Sequence, residues 1–322
     1  MNWRFLCFVF LSCASVELYA QSVDFSQTPS NYIYTNPAFA GNNNCPTLYT
    51  SYRIKHFGEG NLFSTNFLSF DNYAASLNTD IGFTLVHDIQ NSIFQTSGMS
   101  AIVAKDILIA KGVMLKYGLG LGYFFSNINK ENLVFSDMIN PFTPEIGTSG
   151  EDLSTQKQHL YDIEPCLLLY TYNIYVGVTA KHIQEYFRKQ SYTNPLHATI
   201  SIHAGGYFET SRGASLRYLF QWYPHLNICI APSSSYTQLG MRVQKNVFEF
   251  GVAFRENFSF NAESFIFFVG LVQKKYKFAY NCDITLNARK QNYWNTHEIS
   301  FSYTFDCKTQ RKKLGAVQSP RG

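Results

Sequence analysis

Histidines are the residues of this sequence best suited to metal binding or acid–base catalysis, and their spacing argues against both. His87 precedes Asp88 directly, and His297 precedes Glu298. Neighbours on an extended strand point to opposite faces, so neither pair can easily share a metal ion. His197 and His203 share one face of a predicted strand but lie about 20 Å apart along it. We expect these histidines to form hydrogen bonds inside the protein.

Glycines at alternate positions give a superficial likeness to a phosphate-binding loop. Gly118, Gly120 and Gly122 lie in the middle of a strictly alternating stretch, so they belong to a strand. Glycine in a strand leaves room for a neighbouring segment or eases curvature. No Ser-His-Asp arrangement or nucleophile elbow is recognisable. We therefore expect no enzyme activity, no cofactor and no metal.

The element that contains these glycines alternates between two faces from Val113 to Phe125. Its apolar face consists of Val113, Leu115, Tyr117, Leu119, Leu121, Tyr123 and Phe125. A period of two is that of a β-strand. The run is about twice the usual length of a soluble strand, ~5–6 residues, and suits the ~9–11 tilted residues that cross a bilayer.

The same alternation recurs later in the chain, over 248–255, 277–284 and 298–306. Charged residues repeatedly share the face opposite the apolar one. A soluble antiparallel sandwich also alternates in this way and remains the alternative at this point.

The amino terminus indicates export. Arg4 precedes the apolar run from Phe5 to Leu11, and a cleavage point follows Ala20. This pattern predicts a secretory signal peptide over 1–20, whose apolar run is too short to span a bilayer as a helix. A lipoprotein acylated at Cys13 is the alternative.

Composition favours a barrel over a helical membrane protein. The chain is 17% aromatic and 46% hydrophobic, yet its mean hydropathy is -0.14. A transmembrane barrel combines these properties because half of each strand faces a polar lumen, while aromatic girdles mark both membrane interfaces.

We predict an all-β fold, an antiparallel transmembrane β-barrel of about 14 strands. The predicted strands are 47–55, 63–72, 80–89, 94–106, 112–127, 159–171, 173–182, 195–208, one crossing within 214–235, 236–244, 247–256, 264–273, 275–285 and 297–305. Pro224 makes the crossing within 214–235 ambiguous, and twelve or sixteen strands stay open. An even count returns both ends of the barrel to the same side of the membrane.

The connections alternate in length when the first strand begins on the periplasmic side. The stretches Asn129 to Gln158, His182 to Asn194, Glu256 to Glu263 and Thr285 to Thr296 are predicted as extracellular loops. The turns near Tyr172, at Lys245-Asn246 and at Lys274-Lys275 are predicted as tight periplasmic turns. Short periplasmic turns and longer extracellular loops are typical of such barrels.

Five cysteines remain after the signal peptide, in a compartment where disulfides persist. Cys45 precedes the first predicted strand and Cys307 follows the last. These strands are neighbours in a closed barrel, so we expect the two cysteines to lie close together and name them as a candidate disulfide. A bond requires Cα atoms within about 7 Å.

Several segments resemble the PorP/SprF family of type IX secretion system outer-membrane proteins. They are Asp24-Phe25-Ser26-Gln27, Tyr34-Thr35-Asn36-Pro37-Ala38-Phe39-Ala40-Gly41, Tyr52-Arg53 in the first strand, and Thr296-His297-Glu298-Ile299 leading into Ser302-Tyr303. The resemblance covers the mature chain, and its specific part is the amino-terminal signature.

The resemblance implies a non-enzymatic role in the outer membrane of Bacteroidota. It implies assistance in the export or cell-surface anchoring of a large protein that carries a C-terminal sorting domain, together with other type IX secretion components. The rival function is a general porin or solute channel, which would need an open lumen. Nucleic acid has no access to this compartment.

The amino-terminal segment 21–46 is the expected site of function. Proline disfavours a helical conformation in its predecessor, so Asn36 should be extended, and Gly41 permits a positive φ. The signature residues Phe25, Ser26, Gln27, Asn36, Pro37, Ala38 and Gly41 form a plug or docking element inside or beneath the barrel 47–306, or else a structural cap. The basic tail 307–322 is expected to be flexible and periplasmic.

Overall fold

The computed structural model describes residues 25–26, 31–55, 63–128, 138–139, 150, 157–184, 198–210, 220–232, 234–286 and 295–307. The predicted signal peptide, Gln27, His197, most of the stretch from Asn129 to Gln158 and the tail after Cys307 lie outside these residues.

The described residues form one antiparallel sheet. Its strands are β1 (Thr47–Lys55), β2 (Phe63–Ala74), β3 (Thr79–Gln90), β4 (Phe94–Ala110), β5 (Val113–Ile128), β6 (Gln158–Tyr170), β7 (Ile174–Lys181), β8 (Thr199–Gly206), β9 (Phe208–Thr210), β10 (Phe220–Ile230), β11 (Tyr236–Lys245), β12 (Phe248–Asn257), β13 (Ala262–Val272), β14 (Tyr276–Thr285) and β15 (Thr296–Thr304). Each strand pairs with the next along the chain, except that β8 and β9 both pair with β10, and β15 pairs with β1 to close the ring.

The strands β8 and β9 are two halves of one crossing, so the barrel has 14 crossings. The interruption lies at Tyr207, whose backbone N–H donates to the carbonyl of Asn173, just before β7, at 2.7 Å. Pro224 lies opposite this interruption, between the β10 residues that pair with β8 and those that pair with β9. Proline lacks an N–H and is tolerated at such an irregularity. The described part of the ambiguous stretch 214–235 therefore crosses the membrane once, as β10, which agrees with the predicted single crossing.

The two faces of the barrel wall have opposite character. Large apolar side chains on the outer face, such as Val103 and Leu121, are 54% and 55% exposed. The side chains that face the lumen include buried charged residues, of which Lys116 and Glu298 have no exposed surface. This distribution is inverted relative to a soluble sandwich, whose apolar faces point inward. It matches a wall whose outer face is solvated by lipid.

We call the end where β1 begins and β15 ends the terminal end, and the opposite end the far end. Tight connections at the terminal end span 75–78, 111–112, 171–173, 246–247 and 273–275. The alternation in length has exceptions. The far-end connection 91–93 is short, and the predicted loop Glu256 to Glu263 shrinks to 258–261 because β12 runs to Asn257 and β13 begins at Ala262.

A short helical segment precedes β1. It consists of the single turn α1 (Tyr32–Thr35) and the 3-10 turn Pro37–Phe39. No helix in the described part of the chain has the length and apolar character needed to cross a bilayer.

Candidate functional site: a plugged lumen

The segment before β1 lies inside the barrel, and we call its described residues 25–26 and 31–46 the plug. Ala38 and Ser26 have no exposed surface, and Phe39 is 2% exposed. Ser26 contacts Arg53 and Glu298, which pair with each other across β1 and β15 close to the far end. Because residue 46 precedes β1 at the terminal end, the plug runs lengthwise through the lumen.

Ser26 is held by a buried charged cluster on β1 and β15. Its backbone N–H donates to Glu298 Oε2 at 2.8 Å, and its Oγ accepts from Arg53 Nε at 3.2 Å. The other oxygen of Glu298 accepts from Asn31 Nδ2 at 3.1 Å. A second carboxylate, Asp283, lies 3.6 Å from Arg53. Buried charges are costly unless they are paired and hydrogen-bonded, so the cluster and the plug stabilise each other.

A second pair of polar side chains holds the same two plug residues from β11 and β12. Arg255 Nη2 donates to the carbonyl of Phe25 at 3.1 Å, and Gln238 Nε2 donates to the carbonyl of Ser26 at 3.2 Å. Arg255 also donates to Gln238 Oε1 at 2.8 Å. The ring of Phe25 packs edge-on against Phe67, with centroids 5.5 Å apart. Backbone and ring are therefore both fixed at this position.

Tyr32 in α1 contacts a buried charged triad. Arg242 Nη2 donates to its hydroxyl at 2.8 Å, while Arg242 Nη1 lies 2.6 Å from Glu249 Oε1. Lys277 lies 3.2 Å from the second oxygen of Glu249. Burial raises the pKa of the Tyr32 hydroxyl, so the phenol stays neutral and accepts a hydrogen bond from the guanidinium.

Tyr34 rests on a lysine of the wall. The ammonium of Lys181 lies 3.3 Å from the centroid of the Tyr34 ring and also donates to the Tyr34 carbonyl. A cation over an aromatic face is attracted by the negative centre of the ring. This contact ties the plug to β7.

Asn36 and Pro37 form the bend in the middle of the plug. Asn36 is extended, with φ -148 and ψ 116, and its side-chain oxygen accepts from Ala38 N at 2.8 Å to cap the following 3-10 turn. Its Nδ2 donates to the Leu167 carbonyl at 3.1 Å and lies 3.2 Å from His203 Nε2. Gly177 makes room for this contact, since a Cβ there would lie 2.9 Å from Asn36 Nδ2.

The residues after Pro37 combine apolar packing with a further charged contact to the wall. Ala38 and Phe39 pack in one cluster with Met114, Cys166, Leu168 and other buried side chains of the wall. Lys116 donates to the carbonyl of Ala40 and pairs with Asp80 at 2.7 Å. This lysine is buried in the lumen and joins the plug to β3.

Gly41 turns the chain sharply beneath this contact, with φ +70. Its N–H donates to Asp71 Oδ2 at 2.6 Å. A Cβ at this position would lie 2.6 Å from Asp80 Cγ. The position therefore requires glycine for both its conformation and its space.

A disulfide joins Cys45 to Cys307 at the terminal end, with their Cα atoms 5.4 Å apart. It connects the exit of the plug to the residue that follows the last strand. The remaining cysteines of the described residues, Cys166, Cys229 and Cys282, form no disulfide.

Residues for metal binding are not assembled in the described part of the chain. No group of three or more His, Cys, Asp or Glu residues in it is placed to hold a metal ion. His87 and His297 lie on the outer face and bond Ser97 and Tyr280, whereas Glu298 points into the lumen. His203 contacts the plug.

The signature residues Phe25, Ser26, Asn36, Pro37, Ala38 and Gly41 thus all lie in the lumen. The sequence did not reveal the polar wall residues that contact the plug, which are Arg53, Lys116, Lys181, Gln238, Arg242, Arg255 and Glu298. A signal for them exists, because each is a charged or amide residue at an inward position of an alternating strand. Gly118 does not make room for the plug, since its neighbours are Ala104 and Cys166 of the wall.

A closed barrel with a lipid-solvated exterior and a polar, filled lumen is an integral outer-membrane protein. This chain belongs to the PorP/SprF family of type IX secretion system membrane proteins, whose family model matches residues 17–303. Family and fold make it a membrane component of that system, of a kind that is not enzymatic.

Solved outer-membrane barrels show remote similarity. The outer membrane protein Omp33 from Acinetobacter baumannii is 9% identical with a TM-score of 0.43, over 81% of this chain and 99% of that one. A bacterial polysaccharide outer membrane secretin is 8% identical with a TM-score of 0.43, over 82% and 99%. The KdgM porin is 5% identical with a TM-score of 0.34, over 81% and 99%. No curated protein sequence matches this chain.

Proposed function

We propose that this chain is a sealed barrel that assists the export or cell-surface anchoring of a large protein with a C-terminal sorting domain. The proposal takes the family role as its starting point. The observation that carries it is the plug, which fills the lumen where a solute channel would need open space.

The manner in which the plug is held supports a permanent seal. A segment retained by a few exposed contacts could leave the lumen readily. Here the plug meets buried charges at Glu298, Arg255, Arg242 and Lys116. Removing the plug would leave these groups without the partners they have in the structure, which is unfavourable in a confined, poorly hydrated space.

The partners follow from this role. The sorting-domain cargo and other type IX components are the expected protein partners, and outer-membrane lipid surrounds the apolar outer face. We propose that cargo contacts the far-end loops, with Asn129 to Gln158 first among them, because loops on a rigid scaffold commonly carry recognition.

Surface display of a reporter tests the proposed function. The reporter carries a type IX C-terminal sorting domain, and its accessibility to external protease is measured in cells with and without this barrel. We expect loss of display without the barrel and recovery on complementation. An unrelated outer-membrane barrel serves as the control for general envelope damage.

Permeability separates this function from that of a solute channel. The purified wild-type barrel should give no steady conductance in planar bilayers. Normal reporter display in the deletion strain, together with large steady pores from the purified protein, would refute the anchoring function and establish the channel.

A further inference from the structure

A cleft of about 190 Å³ opens at the terminal end of the lumen, between the plug and the wall strands β13, β14 and β15. The plug contributes Phe39, Asn42 and Asn43 to its lining. The wall contributes the turn 273–275 and inward-facing residues that include Lys277 and Ser302. Amides, hydroxyls and lysines thus line a recess beside the plug, together with apolar side chains such as Ile33 and Phe301.

Lysines concentrate around this cleft. Lys274 and Lys275 form part of its lining, and Lys274 is exposed. Lys277 lies deeper, next to Glu249. Lys245 is exposed at the end of β11, in the next hairpin. Lys275 contacts Asp306, which raises the pKa of Lys275 and keeps its ammonium charged at neutral pH.

The sequence extends this charge asymmetry beyond the described residues. The stretches 211–219 and 308–322 both continue from the terminal end and contain no acidic residue. Their basic residues are Arg212, Arg217, Lys308, Arg311, Lys312, Lys313 and Arg321. The far-end connection 129–157 carries five acidic residues, Glu131, Asp137, Glu145, Glu151 and Asp152, against two lysines, Lys130 and Lys157. A concentration of one sign of charge attracts partners of the opposite sign.

The direction of the cleft distinguishes a soluble partner from a lipid headgroup. Lys277 and Ser302 point into the lumen mouth, whereas Tyr276 and Phe301, which also border the cleft, alternate with them toward the outer face. Lipid headgroups approach the wall from outside. A flexible acidic peptide can enter the mouth from the aqueous side.

We propose that the cleft binds an acidic segment of a periplasmic protein, with Asp or Glu carboxylates on Lys274 and Lys275 and with Asn43 and Gln273 as further hydrogen-bonding groups. The site lies at the terminal end of the lumen, which the sequence predicts to be periplasmic, and is separate from the far-end loops assigned to cargo. It therefore goes beyond the proposed function and holds whether or not the cargo assignment is correct.

Peptide binding to the purified barrel tests this site. The probe is a fluorescein-labelled peptide of eight glutamates, and its fluorescence anisotropy is measured in a neutral detergent at low and at physiological salt. Wild type should bind the probe, more weakly as salt rises, because the Debye length falls to about 8 Å at 0.15 M. Lys274→Glu should weaken binding roughly three- to ten-fold.

The matched control is Lys111→Glu, which makes the same charge change in the turn 111–112 at the same end but away from the cleft. It should change binding less than about two-fold. Ser302→Tyr fills the cleft without changing charge and should weaken binding of the probe as well. Heat-modifiable electrophoretic migration verifies that each variant is folded.

Two results would overturn the proposal. Equal losses in Lys274→Glu and Lys111→Glu would mean that the lysines attract anions without a specific site. No peptide binding by wild type, with retention of phosphatidylglycerol in native mass spectra, would mean that the lysines contact lipid headgroups instead.

Discussion

Replacing Gly41 with alanine should release the plug, whereas the same replacement at Gly112 should not. Both glycines have positive φ, +70 at Gly41 and +82 at Gly112. A left-handed conformation costs a non-glycine residue about 1–2 kcal/mol, and this cost applies at both sites. The difference lies in space, because a Cβ at Gly112 has nothing within 4 Å.

At Gly41 the added methyl group would overlap the carboxylate of Asp80. Asp80 pairs with Lys116 at 2.7 Å, and both side chains are fully buried. Breaking such a pair costs about 3–5 kcal/mol, whereas expelling residues 40–41 from the contact relieves the overlap. We therefore expect Gly41→Ala to shift the balance between seated and displaced plug by about a hundred-fold or more relative to Gly112→Ala.

Planar-bilayer recording measures this shift as the fraction of time in which a purified barrel conducts. Gly41→Ala should show openings that wild type and Gly112→Ala lack, while all three keep the heat-modifiable migration of a folded barrel. If Gly41→Ala remained as closed as wild type, the overlap with Asp80 would not govern seating of the plug. If both glycine variants opened alike, backbone strain alone would explain the effect.

Three further predictions concern stability. Arg242→Met leaves Glu249 with Lys277 as its cationic partner and should lower barrel stability by about 3–5 kcal/mol in urea unfolding from detergent. Arg242→Met combined with Glu249→Leu and Lys277→Met removes all three charges and should recover much of that loss, whereas additive losses would contradict a coupled triad. Cys45→Ser should destabilise the barrel by up to about 5 kcal/mol because the disulfide closes a separation of 262 residues, and an unchanged melting temperature would show that the bond contributes little. Leu121→Arg on the outer face should cost about 2–4 kcal/mol in folding into liposomes, and a neutral result would mean that this face does not contact hydrocarbon.

The barrel could be predicted from sequence because its signals are local. Alternation from Val113 to Phe125 fixes which side chains face lipid, and a short stretch of residues suffices to reveal it. The β-strands begin and end within a few residues of the predicted bounds for the same reason. The break at Tyr207 escaped prediction, since it lies within the stretch 195–208 that was predicted as one strand.

The interior of the lumen could be predicted only in part. Asn36, Pro37 and Gly41 have intrinsic backbone preferences, so their bend and turn are visible in the sequence. The partners of the plug are not, because Ser26 and Glu298 are separated by 272 residues and meet only when the ring closes. Pairing of this kind depends on barrel geometry rather than on any local pattern.

Photocrosslinking from position 25 in living cells tests most directly whether the plug occupies the lumen. Phe25 is replaced by photoreactive benzoylphenylalanine, a conservative change at a ring that packs against Tyr34 and Phe67. After irradiation of intact cells, we expect mass spectrometry to find intramolecular crosslinks to β2 peptides containing Phe67. Crosslinks to other proteins in place of β2 would contradict the plugged lumen.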